Sequence, residues 1–404
     1  MKSNFSSGLL CLLFAGSASA QGLYYVGSEA QESLPLKWVV GASVSYDDNV
    51  APGFGPKQSS IGFNPYVGLS FVNITPQTTW DVYARLGLIY YVDQPASLNN
   101  TSSQSRAGVN ITHRFSERLR FSSNNFVSYE LEPDYSYGYA SSLATGEYFF
   151  WQSDNSVGYR WSERFATYTG VRLTGTSFAN VANNDRSTWE LYNQLRYQLG
   201  PQTVLTGDTR YSQTTGDGLS PDSTDTYILV GAEHRFSPNT IGILRAGAQF
   251  HDVDGGQSNS SPYLELALNS QLTQQFHVKA FTRYGIESAD TVQFEPGVGL
   301  VQFDDRRTLR FGLSGEYSIS PMFSVFGGVD YIPTSFQGGR SLVGYKGAIS
   351  DLSQDLINAN IGLSMKFNDY LTGTLSYNYT DSISDIPTTD YKRNRISLGV
   401  SAEF

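Results

Sequence analysis

The stretch RISLGVSAEF, residues 395–404, decides how the rest of the chain is read. Ile396, Leu398, Val400, Ala402 and Phe404 fall on one side of an extended strand. Arg395, Ser397, Gly399, Ser401 and Glu403 fall on the other, because side chains alternate with period 2. One face is apolar and the other is wetted. The edge strand of a soluble β-sandwich would alternate in the same way, so the rest of the chain has to choose between water and lipid.

The N-terminus gives an independent sign. Lys2 supplies a positive start, an apolar run covers Leu9 to Ala15, and Ala18-Ser19-Ala20 precedes Gln21, the layout of a cleavable secretory signal too short to span a bilayer. Residues 1–20 are therefore expected to be a signal peptide, 21–36 a periplasmic lead-in and 37–404 the folded body. Cys11 is the chain's one cysteine. Cleavage after Ala20 removes it, leaving no disulfide, thiolate nucleophile or cysteine metal site. The mature charge becomes −11, from 26 basic and 37 acidic residues, which argues against nucleic acid as a partner. Beyond the signal no apolar run reaches the length of a membrane helix, so a membrane-embedded body has to be a closed barrel. A mean hydropathy of −0.29 fits a soluble protein and a polar-lined barrel equally well. The 27 tyrosines supply rings for interfacial girdles.

From Lys37 onward one unit repeats: amphipathic strand, tight turn, strand, longer polar loop. Tight turns are expected at 73–80, 113–119, 159–165, 197–203, 234–240, 269–276, 317–323 and 365–371. Each sets two to four Ser, Pro, Asn, Asp, Gln or Glu residues between apolar flanks. Longer connections fall near 47–57, 92–102, 131–146, 179–186, 214–222, 253–260, 288–305, 333–352 and 381–390. Eight turns and nine loops join about eighteen strands, sixteen if either of the segments 119–130 or 203–213 fails, since their phase is ambiguous. Elsewhere the dyad is plain: Trp80, Val82, Ala84, Leu86, Leu88 and Tyr90 oppose Asp81, Tyr83, Arg85 and Gly87. The run Ile357 to Phe367 repeats it. Segments of about 10–14 residues suit a tilted membrane crossing, whereas soluble strands average ~5–6 residues and those of a propeller or solenoid are closer spaced. The expected fold is an all-β, transmembrane, antiparallel up-and-down barrel with short periplasmic turns and longer extracellular loops.

Signal, hairpins, acidic loops and terminal aromatic together resemble the porin-like barrels of Gram-negative outer membranes over essentially the whole mature chain. Gly399, Ala402 and Phe404 have the spacing of the C-terminal assembly signal of that class, and Leu398 departs from it where a polar residue is usual. The opening strand, Trp38 to Val50 with its Tyr46-Asp47-Asp48-Asn49 corner, resembles the β-barrel porin family whose relatives occur near exopolysaccharide-export genes. The resemblance implies an outer-membrane location, contact with lipid, lipopolysaccharide and the barrel assembly machinery, and a passive channel for small hydrophilic solutes such as saccharides. The alternative is a non-conducting barrel that assists exopolysaccharide export or displays an adhesion surface. No cofactor, metal or catalytic residue follows from it, and the oligomeric state stays open.

By phase, the lumen should receive Asp81, Arg85, Arg106, Arg160, Arg172, Arg196, Glu233, Arg235, Arg245, Glu265, Lys279, Arg283, Arg310, Glu316 and Arg395, together with Glu190, Glu287 and Glu403. Such charges set a transverse field that selects solutes, or they pair between neighbouring strands and fill the wall. Basic residues exceed acidic ones in this set, so any selectivity leans toward anions. Tyr66, Tyr83, Tyr91, Tyr192 and Phe281 are candidates for a row of stacking rings. The connections 288–305 and 333–352 could fold inward as constrictions. Asp252 to Gly256 and Asp217 to Asp225 place oxygens at alternating positions without a full calcium ligand set and read as Asp-Gly turns. His251 with Asp252 and Ser258 is the one external set resembling a hydrolase, and it lacks an orienting group. The chain is not expected to be an enzyme.

Overall fold

Alternation with tight turns has one outcome here, a sheet that closes on itself. The computed structural model describes residues 33–52, 57–95, 99–131, 146–179, 185–217, 221–288, 291–386 and 389–404. Its strands are β1 (Leu34–Asp47), β2 (Ser60–Ile74), β3 (Thr78–Tyr91), β4 (Thr101–Ser103), β5 (Ser105–Arg114), β6 (Leu119–Glu130) and β7 (Tyr148–Arg160). Then come β8 (Phe165–Phe178), β9 (Arg186–Gly200), β10 (Thr203–Gly216), β11 (Ser223–Ser237), β12 (Thr240–Val253), β13 (Asn259–Gln271) and β14 (Phe276–Ile286). The chain ends with β15 (Val292–Glu295), β16 (Gly299–Ser318), β17 (Phe323–Ser341), β18 (Leu352–Lys366), β19 (Leu371–Ser384) and β20 (Tyr391–Glu403). Segments β4 and β5 both pair with β3, and β14 and β15 both pair with β16, so each couple forms one stave. The result is a closed antiparallel barrel of 18 strands. The eight expected turns fall between strands, and so do the expected loops except 288–305 and 333–352.

The seam is β1 against β20, paired from Val39↔Glu403 to Asp47↔Arg395. Backbone bonds between Trp38 and Phe404, 2.9 and 2.8 Å, extend it at one end, where Lys37 also pairs with Glu403. At the other end the Tyr46 to Asn49 corner locks it. The buried Asp47 takes Arg393 Nε at 2.8 Å, Asp48 accepts from the Asn394 backbone N–H at 2.7 Å and from its amide at 2.8 Å, and Asn49 donates to the Lys392 carbonyl at 3.1 Å. Partial burial pushes the Asp48 carboxyl up, but the hydrogen bonds from Lys57 and Asn394 outweigh it and hold the group below its ordinary value. Strand β1 begins at Leu34, three residues before the expected boundary at Lys37. The signal segment 1–20 lies outside the described residues.

The alternation sorts the surface. Trp38, Trp80, Trp161, Tyr197 and Tyr317 are exposed toward the turn end, and Tyr46, Tyr90, Phe149, Phe250 and Tyr331 toward the loop end. Between these two aromatic rings lie exposed Val40, Val67, Leu86, Val230, Leu266 and Ile361. An oily band between aromatic girdles around a closed sheet is the exterior of a transmembrane β-barrel.

Inside, large rings lie over glycines of the neighbouring strand. A Cβ on Gly158 would sit 2.2 Å from the Tyr168 ring, and one on Gly41 would sit 2.5 Å from Tyr66. Gly108 stands in the same relation to Tyr83, Gly170 to Tyr192 and Gly312 to Phe281. These glycines are required by close approach, since the ring covers the backbone that a side chain would otherwise cover. The predicted connections 288–305 and 333–352 prove to be mostly strand: β15, the first part of β16 and the last part of β17 raise one side of the wall above the rest. They carry no oily exterior face because they stand clear of the apolar band, which is why their composition reads as loop.

Gly158→Val should therefore lower stability by roughly 1–3 kcal/mol, read as a lower temperature for conversion of the folded to the unfolded band on a gel. Adding Tyr168→Ala should restore part of the loss, because it vacates the space the valine needs.

Candidate functional site: the inner wall

Strand register decides which side chains meet inside. Every lumen candidate from the sequence, from Asp81 to Arg395, faces inward, because each is paired with or separated by an even number of residues from another inward position. They do not share one environment. From β7 to β16 the wall carries groups of opposite charges on neighbouring strands. Arg172 bridges Asp154, at 2.9 and 2.8 Å, and Glu190, at 3.0 Å. Arg196 donates to Glu233 at 2.7 and 2.5 Å and to Gln194 at 2.8 Å, and Gln194 donates to Asp208 at 2.6 Å. Arg245 reaches Glu265 at 2.6 Å, Glu233 at 3.5 Å and Asp208 at 3.7 Å, while Arg210 lies 3.7 Å from Glu265. Glu287 collects Arg310, at 2.6 and 2.9 Å, Arg283, at 2.5 Å, and Arg306, at 3.8 Å. Asp154, Asp208, Arg210 and Arg306 were not expected here. Asp208 and Arg210 lie on the segment whose phase was ambiguous, and Arg306 on one read as loop.

The remainder of the wall is built differently. Asn378 donates to Asn358 at 2.9 Å, Thr380 donates to the same oxygen at 3.0 Å, and Ser364, Ser376, Ser397, Ser43 and Asn64 share the inward face around the seam. Arg106 pairs with Glu130, and Asn110 donates to Asp81 at 3.2 Å. Arg85 differs. Its guanidinium stacks 3.9 Å from the Tyr66 ring centroid, and among the described residues it has no carboxylate partner. In an 18-strand barrel β3 stands nine staves from β13, so Arg85 faces the Arg245–Glu265 segment across the lumen.

The aromatic candidates are wall elements. Tyr66, Tyr83, Tyr192 and Phe281 cover glycines, and the buried Tyr91 packs with Val50, Ala51, Ile89 and Leu131. Side-chain contacts tie the raised wall to its neighbours at the loop end. Where β14 gives way to β15, Ile286 exchanges hydrogen bonds with the Gln249 side chain, at 2.8 and 2.9 Å, and Ser288 lies 3.3 Å from Asp225. Arg340 near the tip of β17 reaches the Gly255 carbonyl on the opposite turn. The set of His251, Asp252 and Ser258 is not assembled. His251 turns inward and meets Asp225 at 2.8 Å, while Ser258 donates to the outward Asp252 at 2.7 Å. Gly255, at φ 68°, makes Asp252–Gly256 a tight turn. Within the other acidic run, residues 218–220 lie outside the described residues. Gly399 is inward beside Thr374 and Ser43, Ala402 sits opposite Val40 on β1, and Phe404 is exposed.

No family model matches the chain, and no curated protein matches it in sequence. Solved structures do. OccK2 (OpdF) of Pseudomonas aeruginosa in complex with glucuronate aligns over 93% of this chain and 99% of its own, with TM-score 0.48 and 8% identity. OccAB2 of Acinetobacter baumannii aligns over 91% and 98%, with TM-score 0.48 and 11% identity. The siderophore receptor PirA of Pseudomonas aeruginosa aligns over 92% and 80%, with TM-score 0.43 and 10% identity. At such identities they assign no role to any residue here.

Glu233→Ala strands Arg196, itself 1% exposed, without its carboxylate. The loss should be about 3–5 kcal/mol, the cost of an uncompensated buried charge. Urea unfolding in lipid vesicles checks it, with Glu316→Ala as the comparison expected to lose less than about 1 kcal/mol.

Proposed function

We propose that this protein is an outer-membrane channel through which small hydrophilic solutes, saccharides among them, diffuse passively. The observation that carries the reading is the pairing of an oily exterior with an inner wall of charged, amide and hydroxyl side chains around a closed barrel. An interior of that chemistry is stable only against water, and a water-filled lumen passes what fits it. The protein then resides in the outer membrane of a Gram-negative bacterium, in contact with lipid and lipopolysaccharide, and carries no catalytic centre. Its solute preference is weakly anionic. Most lumen arginines are matched by carboxylates on adjacent strands, so their fields largely cancel within a few ångströms. Arg85, which has no carboxylate in ion-pair contact among the described residues, supplies the lean. The second reading, a closed barrel serving exopolysaccharide export or adhesion, takes its support from the raised wall and the contacts that tie it to the β12–β13 turn.

Single-channel recording of refolded protein in a planar bilayer separates the two. Stable conductance steps with a modest anion preference in a salt gradient are expected, and Arg85→Gln should roughly halve that preference while leaving the step size nearly unchanged. Silence from protein shown to be folded and inserted would overturn the diffusion reading.

A further inference from the structure

The exterior band is apolar around most of the barrel, but a polar cluster interrupts it over β6 and β7, with single polar positions on β9 and β10 among exposed Val171, Leu173, Leu191, Leu195 and Leu205. There, at the level where Val40, Val67, Leu244 and Ile361 face lipid elsewhere, the outward positions are Ser123, Asn125, Ser153, Asn155, Asn193 and Thr209. Register leaves no doubt about the side, because Ser123 opposes Asn155, Asn125 opposes Ser153, and exposed Val127 and Val157 flank them on the same face. Phe121 and Tyr159 on one side and Tyr129 and Phe149 on the other bracket the patch between the two girdles.

Four of these side chains form a closed cycle. Ser123 donates to Asn155 at 2.7 Å, Asn155 to Ser153 at 2.9 Å, Ser153 to Asn125 at 2.8 Å, and Asn125 back to Ser123 at 2.9 Å. Asn193 donates to Thr169 at 2.6 Å. Each carboxamide has two N–H donors and an oxygen with two lone pairs, so the cycle leaves one donor and one lone pair on both Asn125 and Asn155. Asn193 keeps one donor and its oxygen. In hydrocarbon those groups go unmet, at a cost that lipid tails cannot reduce.

We infer that this face is where a second copy of the chain docks, with β6–β10 of the two barrels side by side in the membrane. Water and soluble proteins do not reach this depth, and acyl chains offer neither donors nor acceptors. An asparagine–serine patch is self-complementary, because every residue in it both donates and accepts, and a two-fold axis through the patch brings leftover donors onto leftover acceptors. The extent suffices. Five strands ~4.8 Å apart across a band ~25 Å tall, the polar cluster together with the apolar side chains around it, give roughly 600 Å² per partner, the lower edge of a stable interface. A single such face makes a closed dimer and not a ring, which would need a second, different face. The inference is independent of whether the lumen conducts.

The test uses full-length protein lacking Cys11, in native outer membranes or lipid nanodiscs, with one cysteine introduced on either side of the barrel. Leu191→Cys lies within the β6–β10 face beside the polar cluster, and Val67→Cys on the apolar exterior away from it. Oxidation should give a disulfide-linked dimer from Leu191→Cys and at least about tenfold less from Val67→Cys. Placing Asn125→Leu and Asn155→Leu in the Leu191→Cys background should remove most of that dimer while the barrel stays folded by gel mobility. Equal cross-linking from both cysteines would mean random collision, and none from either would mean a monomer with lipid on this face. Either result overturns the inference. The Leu191 and Val67 variants leave the asparagines intact, so the comparison holds even if the double asparagine variant folds poorly.

Discussion

Everything in this chain answers to the backbone of one seam. In a bilayer an unpaired strand edge exposes N–H and C=O groups to hydrocarbon, at several kcal/mol each, so a sheet can cross only if its first and last strands pair. The closing pair is β1 with β20, and side chains fix its register at both ends: Lys37 with Glu403 toward the turns, and Asp47, Asp48 and Asn49 with Lys392, Arg393 and Asn394 toward the loops. The Tyr46 to Asn49 corner that stood out in the sequence is thus a clasp. A slip of one residue at the seam would turn Ile396, Leu398 and Val400 into the lumen and Arg395 into lipid.

Closure in turn dictates the interior. Eighteen strands, each giving alternate residues to the inside, bring many charged groups together along a narrow wall. Left unmatched they would repel or be stranded by partial burial, and the wall resolves this by alternating sign from strand to strand, Asp154–Arg172–Glu190 and then Asp208–Arg245–Glu265–Arg283–Glu287–Arg310. Glycines across from large rings do the same for backbone, covering it where the strand would otherwise be bare. Charge in this lumen is first of all construction, and only what construction leaves over can select a solute.

What was legible in the sequence follows from where lipid forces the pattern. Turns, strand number and the phase of segments such as Trp80 to Tyr90 could be read because an oily face alternates with a polar one. The segments 119–130 and 203–213 could not be phased, and the structure gives the reason: their lipid-facing positions include Ser123, Asn125, Gly207 and Thr209, so both faces look wet. The raised parts of β15 to β17 were illegible for the complementary reason, standing outside the layer that demands an apolar face. Which carboxylate meets which arginine is a matter of register between strands far apart in sequence, and a single chain does not print it. Alternation alone could assign Asp81 to Arg395 to one face of their strands, but not which of them meet.

The two halves of the interior therefore act differently on a passing solute. The β7–β16 side presents opposite charges within ~3–4 Å of each other, and the field of such a pair dies away over a distance comparable to its own length. The seam side presents amides and hydroxyls, short-range partners that grip any polar group without regard to sign. Arg85 sits on β3 with no carboxylate in ion-pair contact among the described residues and its guanidinium held against Tyr66, although Glu130 lies close enough to act on it. The lumen thus presents few charges without a nearby opposite one among the described residues, and many neutral hydrogen-bonding groups. On the channel function proposed above, size and hydrogen-bonding capacity then outweigh net charge, which suits a polyhydroxylated solute better than a strongly charged one.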